Sequence, residues 1–145
     1  MNDFDNFVEN LQQEIFEDTR KAYGEAGFQR WRNPLFQGRM KHPDVHAKVT
    51  GSCGDTMEIF LKFIENRVKD ASYVTDGCGS SMVCGSFAVE LALGKDPDEL
   101  AEITGKTILN KIGRFPKEDE HCAYLAAETL QQALHRYMIN LKPEG

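Results

Sequence analysis

Residues 45–75 read VHAKVTGSCGDTMEIFLKFIENRVKDASYVT, and this stretch decides the fold. Val45, Ala47 and Val49 alternate with polar neighbours. Met57, Ile59, Leu61 and Phe63 alternate with Glu58 and Lys62, a period of two that predicts half-buried strands. Phe60 falls on the more polar side and weakens the alternation. Glu65–Asn66–Arg67 reads as a turn into a third strand over residues 68–75. Connections this short favour an antiparallel meander, because a parallel crossover needs a dozen residues or more.

Outward from the strands, both flanks read as helix. Phe4, Phe7, Val8, Leu11 and Ile15 recur at helical spacing, and Phe16 extends that face. Asn2 or Asp3 caps this helix, and Gly24 and Gly27 mark its end. Its stripe reads as a core-facing or partner-facing surface. Residues 30–43 carry Trp31, Pro34, Gly38 and Pro43 without a clean period, and read as an irregular linker. Beyond the strands, Ser80 or Ser81 is placed to cap a helix running to Leu93, with Gly94 as its stop. Asp96 and Pro97 open a short helix. Another spans about residues 107–112 and ends at Gly113. The last helix runs over about residues 119–140, with Ala123, Ala127, Leu130, Leu134, Tyr137 and Leu141 on its apolar face and Pro143 past its end. The expected class is α+β: a small three-stranded antiparallel sheet with helices packed on one face, plus an N-terminal helix. Residues 1–145 read as a single domain, in which 1–30 form a helical extension.

The formal net charge is −6 over 145 residues. An acidic balance argues against nucleic acid or an anionic membrane as partner, since both reward Lys and Arg. No apolar run approaches the roughly 18–20 residues that crossing a bilayer requires. The start, MNDFDNFVEN, lacks the basic and apolar regions of a secretory signal, so a cytoplasmic protein is expected. Four cysteines in a reducing compartment point to metal or redox work rather than disulfides.

The cysteines do not form a close CxxC pair. Cys53 lies in GSCGDTM between strands one and two, Cys78 in DGCGSS between strand three and a helix, and Cys122 in DEHCAYL at the start of the last helix. In a meander, the first two of these positions share one end of the sheet. Thiolates are the metal-binding form of cysteine, and helix N-termini favour anions, so Cys78 and Cys122 are expected to have lowered pKa values. Gly51, Gly54, Gly77 and Gly79 flank Cys53 and Cys78 and admit close backbone approach. Asp55 stands two residues from Cys53, and His121 adjoins Cys122. Carboxylate and imidazole both ligate iron or zinc. Asp55 also reads as a turn residue, and His121 as a helix-start residue. His42, His46 and His135 read as surface or sheet-edge residues, not ligands. Cys84, inside the helix after Cys78, reads as a small buried apolar residue.

GSCGDTM, DGCGSSMVCGS and EHCAYLAAETL, in this order, resemble the three cysteine motifs of the iron–sulfur scaffold family, the IscU proteins and the N-terminal domain of NifU. The resemblance covers residues 33–141 as a family-like core and includes Asn33–Pro34 before the first strand. It implies an α+β fold with a three-stranded antiparallel sheet. It implies Cys53, Asp55, Cys78, His121 and Cys122 as the assembly site of a transient [2Fe–2S] cluster. It also implies a cysteine desulfurase as sulfur donor, an iron donor and apo iron–sulfur acceptor proteins. Family members of the IscU type carry Leu-Pro-Pro-Val-Lys-Ile before the His-Cys pair, a segment read by a dedicated chaperone. Here Phe115, Pro116, Lys117, Glu118, Asp119 and Glu120 stand in its place, so the expectation of a chaperone partner is weakened.

A cluster scaffold is a binding and transfer protein rather than an enzyme. Two other readings use the same residues. A structural or adventitious zinc site would take the same ligands in tetrahedral geometry. A persulfide carrier without a cluster would use Cys84 as a second, resolving thiol.

Overall fold

The computed structural model describes residues 2–141. Pro143 lies outside them. Strands β1 (Val45–Thr50), β2 (Thr56–Ile64) and β3 (Arg67–Thr75) form one antiparallel sheet in the order β1-β2-β3. The meander is the one its alternation predicts. Val45 pairs with Leu61 and Thr50 with Thr56, which leaves residues 51–55 as the β1–β2 loop. Ile64 pairs with Arg67 across a two-residue turn, where Glu65 and Asn66 take φ of 52° and 64°. Both central residues at positive φ make the turn whose twist suits a hairpin.

Helix α1 (Asp3–Arg32) precedes the sheet, and α2 (Gly79–Ala92), α3 (Pro97–Ala101), α4 (Gly105–Ile112) and α5 (His121–Leu141) follow it. Helix α5 lies across β1 and β2, and α2 across β3. The core between them is built from Ala47, Met57, Ile59, Leu61 and Tyr73 of the sheet with Val83, Val89, Ala126 and Leu130 of the helices. Asp96 caps α3 and Thr104 caps α4, each in a reciprocal capping box.

Four features differ from the sequence reading. Gly24 does not end α1. It takes φ 73° and ψ 179°, and a second helical segment resumes and runs to Arg32. Trp31 therefore sits on a helix rather than in an irregular linker. Phe60 is buried, because the far segment around residues 36–39 folds over that face. His46 stacks on its ring at 5.7 Å, while Arg39 pairs with Glu58 at 3.1 Å. The same segment closes the free edge of β3, with Gly38 N–H donating to the Tyr73 carbonyl at 2.8 Å and Tyr73 N–H to that of Phe36 at 3.0 Å. Finally, neither Ser80 nor Ser81 caps α2. The cap position is Cys78, and both serines lie buried in the first turn.

Candidate metal centre

The β1–β2 loop and the exit of β3 lie at one end of the sheet, so Cys53, Asp55 and Cys78 come together there. Helix α5 brings its N-terminus to the same end and adds His121 and Cys122. A 3-10 turn, Lys117–Asp119, leads the chain into it. The five side chains form two triads that share Asp55. Ligand atoms of Cys53, Asp55 and His121 lie within 4.8 Å of one another, and so do those of Asp55, Cys78 and Cys122. The structure thus assembles all five residues singled out in the sequence. Among the described residues, His42, His46 and His135 belong to no such group.

The thiols differ in access. Cys53 and Cys78 are exposed, while Cys84 and Cys122 are buried, and all four are free. One face of the site is therefore open to solvent and the other is set into the core. Burial pushes the Cys122 thiol up to about 11. A hydrogen bond from Ser81 opposes that shift, and the nearby Cys78, Asp119 and Asp55 add to it. The lowered value expected for Cys122 from its helix start is overturned, because desolvation outweighs the helix dipole. A metal at the site would have to displace that proton, so loading releases protons. Cys84 is raised well above its ordinary value, chiefly by burial, as befits a packed core residue. Brief alkylation of the native chain should therefore modify Cys53 and Cys78, leave Cys84 untouched and reach Cys122 slowly. Peptide mass spectrometry checks this, and early labelling of Cys84 would contradict it.

The wall behind the thiols is a hydrogen-bonded layer. Ser81 Oγ lies 3.3 Å from Asp55 Oδ2 and 3.4 Å from Cys122 Sγ, so its one proton serves either ligand. His121 Nε2 stands 3.7 Å from Cys122 Sγ. Ser80 Oγ donates to Asp119 Oδ2 at 2.7 Å. Its proton is thereby committed, so Tyr23, whose hydroxyl lies 2.7 Å from Ser80 Oγ, must be the donor in that pair. The Tyr23 pKa is raised, mainly by burial, which keeps that donor protonated. Close packing completes the wall. A Cβ on Gly79 would fall 2.6 Å from Trp31 Nε1, and one on Gly77 would stand 2.9 Å from Asp55 Oδ2. Both positions require glycine on space alone.

Of the three acids before His121, Asp119 is the one bonded to α2. It ties the approach of α5 to the first turn of α2. Asp119→Ala removes this acceptor and should cost about 1–2 kcal/mol, with Asp119→Asn recovering most of the loss. Urea unfolding of the metal-free chain measures both, and equal stability of Asp119→Ala and the parent would contradict the bond's role. Tyr23 was not readable as part of the site. It lies 57 residues from Ser80 in a helix that presents no local signal.

A cluster of thiols, carboxylate and imidazole, half exposed at one end of an α+β frame, has the donor set that a thiophilic metal takes. The chain belongs to the NifU-like N-terminal domain family, whose model matches residues 22–142. It is 34% identical over 116 residues to the iron-sulfur cluster assembly scaffold protein IscU 1 of Archaeoglobus fulgidus, covering 79% of this chain and 76% of that one. It is 32% identical over 123 residues to the iron-sulfur cluster assembly enzyme IscU of Drosophila melanogaster, covering 81% and 79%. A crystal structure of a putative SUF-system scaffold protein from Fervidobacterium islandicum superposes with a TM-score of 0.65 at 19% identity, covering 80% of this chain and 98% of that one. At that identity the likeness concerns the fold alone. Among the described residues, no helix is long and apolar enough to cross a membrane.

Proposed function

We propose that this chain is a scaffold on which an iron–sulfur cluster is built and from which it passes to acceptor proteins. The observation that carries the reading is the convergence of Cys53, Cys78 and Cys122 with Asp55 and His121 in two triads sharing one carboxylate. The Archaeoglobus relative's name as a cluster assembly scaffold protein, and the Drosophila relative's as a cluster assembly enzyme, support it. In this reading the cluster is cargo. Thiolates of Cys53, Cys78 and Cys122 hold iron, and Asp55 or His121 completes the set for a [2Fe–2S] unit. A harder fourth ligand binds iron less firmly than a thiolate, and the open side at Cys53 and Cys78 gives the cluster a way out.

Sulfur arrives on the exposed side. The thiolate of Cys78 or Cys53 attacks the outer sulfur of a persulfide on a cysteine desulfurase. The new S–S bond forms on this chain, and the donor's cysteine leaves as a thiolate. Two external thiols, oxidised together to a disulfide, or two one-electron ferredoxins then supply the two electrons that reduce that sulfur to sulfide as iron binds. Cys84 takes no part, since its burial removes it from the resolving role that a persulfide carrier would give it.

The test is transfer. Protein loaded anaerobically with iron and sulfide, then mixed with an apo-ferredoxin, should pass its chromophore to the acceptor. Retention of the metal by this chain, with loss of the fold on chelation, would instead favour a structural zinc site. That reading draws on the donor set of Asp55, Cys78 and Cys122, which also suits zinc.

A further inference from the structure

Helix α1 folds back on itself at Gly24, and the two limbs are unequal. Phe16 packs edge-on against Phe28 at 5.7 Å and Trp31 at 6.4 Å, and the guanidinium of Arg32 lies 5.1 Å from the Phe16 ring. The second limb ends at Arg32, so it ends level with Phe16. Residues 3–15 continue past it as about 20 Å of helix. Every residue of that arm is exposed. Its apolar stripe is not spared: Phe4 is 70% exposed, Phe7 64%, Val8 43%, Leu11 47% and Ile15 47%. These residues sit at helical spacing on one face, unlike the scattered single apolar residues of an ordinary surface. A free helix of this length is marginal in water without a surface to pack on.

The charge of the arm says what that surface is. Asp3, Asp5, Glu9, Glu14, Glu17 and Asp18 lie in the first 19 residues, which hold no Lys or Arg, and they account for the whole formal net charge of −6. The remainder of the chain is balanced. Two arms packed against each other would bring like charges together, and an acidic helix is repelled by an anionic lipid surface. An apolar groove rimmed by Lys and Arg on another protein fits both properties. The place where the arm leaves the body narrows the partner further. Phe16 rests on Trp31, whose indole covers Gly79, the neighbour of the exposed Cys78. A protein gripping the arm is thereby held beside one of the two exposed thiols to which the proposed function brings sulfur. Under the proposed function, the protein that comes to that exposed thiol is the sulfur donor.

We infer that residues 3–15 form a docking arm for the sulfur-donor protein, which receives the apolar stripe in a groove rimmed by basic side chains; this rests on the scaffold reading above. The test uses the full chain and the purified cysteine desulfurase of the same organism, with binding followed by calorimetry. Phe7→Ser with Leu11→Ser, and separately Glu9→Lys with Glu14→Lys, should each weaken binding at least about tenfold. The parent's affinity should fall as salt rises. Cluster formation from Fe2+ and free sulfide, which needs no donor protein, should stay as in the parent for both variants. Unchanged donor affinity in both variants would overturn the inference. So would a parent dimer in sedimentation that the Phe7→Ser, Leu11→Ser variant dissolves, since the arm would then serve a second copy. Failure of the parent to form a cluster from free sulfide would sink the scaffold reading itself, whatever the arm binds.

Discussion

Cys78→Ala should leave the fold intact and remove the cluster. Cys78 is exposed and occupies the cap position of α2, yet its side chain makes no capping hydrogen bond there. Alanine in its place leaves no cavity and strands no buried polar group. Stability should change by no more than about 0.5 kcal/mol, as for an ordinary surface substitution. The site, by contrast, loses one of three thiolates and a member of the triad of Asp55, Cys78 and Cys122. Loss of an outer-shell partner already weakens a metal site about 10–100-fold. Loss of a direct thiolate should exceed that, leaving zinc affinity down by more than about a hundredfold and no stable visible chromophore. Competition with a chelating dye measures the affinity. A variant that folds, binds zinc as tightly as the parent and still builds a cluster would remove Cys78 from the site. Cys122 would give a less clean answer, since it is buried in the core and its replacement mixes stability with chemistry.

Leu130→Ala should give a large loss of stability from a position outside the site. Leu130 is fully buried at the middle of α5, where that helix lies across β1 and β2. Truncating such a side chain removes its transfer free energy and leaves a cavity, together costing about 2–5 kcal/mol. A domain of this size has about 5–15 kcal/mol in all. The midpoint of urea unfolding should therefore fall markedly with little change in slope. The same helix carries His121 and Cys122, which ties the fold to the site. Zinc at about 100 times its dissociation constant should add about 2.7 kcal/mol to parent and variant alike. Equal stabilisation of the two would mean that α5 still delivers its ligands. No stabilisation of the variant would mean that the cavity shifts the helix start.

The sheet was legible because its signal is local. Met57, Ile59 and Leu61 alternate with polar neighbours, and the turn at Glu65 and Asn66 fixes the register. Burial of Phe60 was not legible, because the segment that covers it comes from some twenty residues earlier in the chain and no strand pattern encodes it. Gly24 misled for a related reason. A glycine after an amphipathic stretch is the ordinary sign of a helix end. Here it makes a hinge, and tertiary packing of Phe16 on Phe28 and Trp31 restores the helix beyond it. Cys53 and Cys78 were legible through their glycine-rich settings and their shared end of the sheet, whereas Asp55, His121 and Cys122 joined them only through the motif resemblance. Their electrostatics were not. The helix start at Cys122 suggested an acidic thiol, whereas its burial makes it a reluctant one. Tyr23, Ser80 and Asp119 form their chain only in three dimensions, since 57 residues separate the first pair and 39 the second.

The central claim is that the site gathered at the end of the sheet builds an iron–sulfur cluster. Anaerobic incubation of the purified chain with Fe2+, cysteine and a cysteine desulfurase, followed by visible absorption and by iron and sulfide analysis, tests it most directly. A visible chromophore with iron and acid-labile sulfide in equal numbers is expected, absent from Cys78→Ala treated in the same way. A colourless product that binds iron without sulfide, or a chromophore that survives in Cys78→Ala, would contradict it.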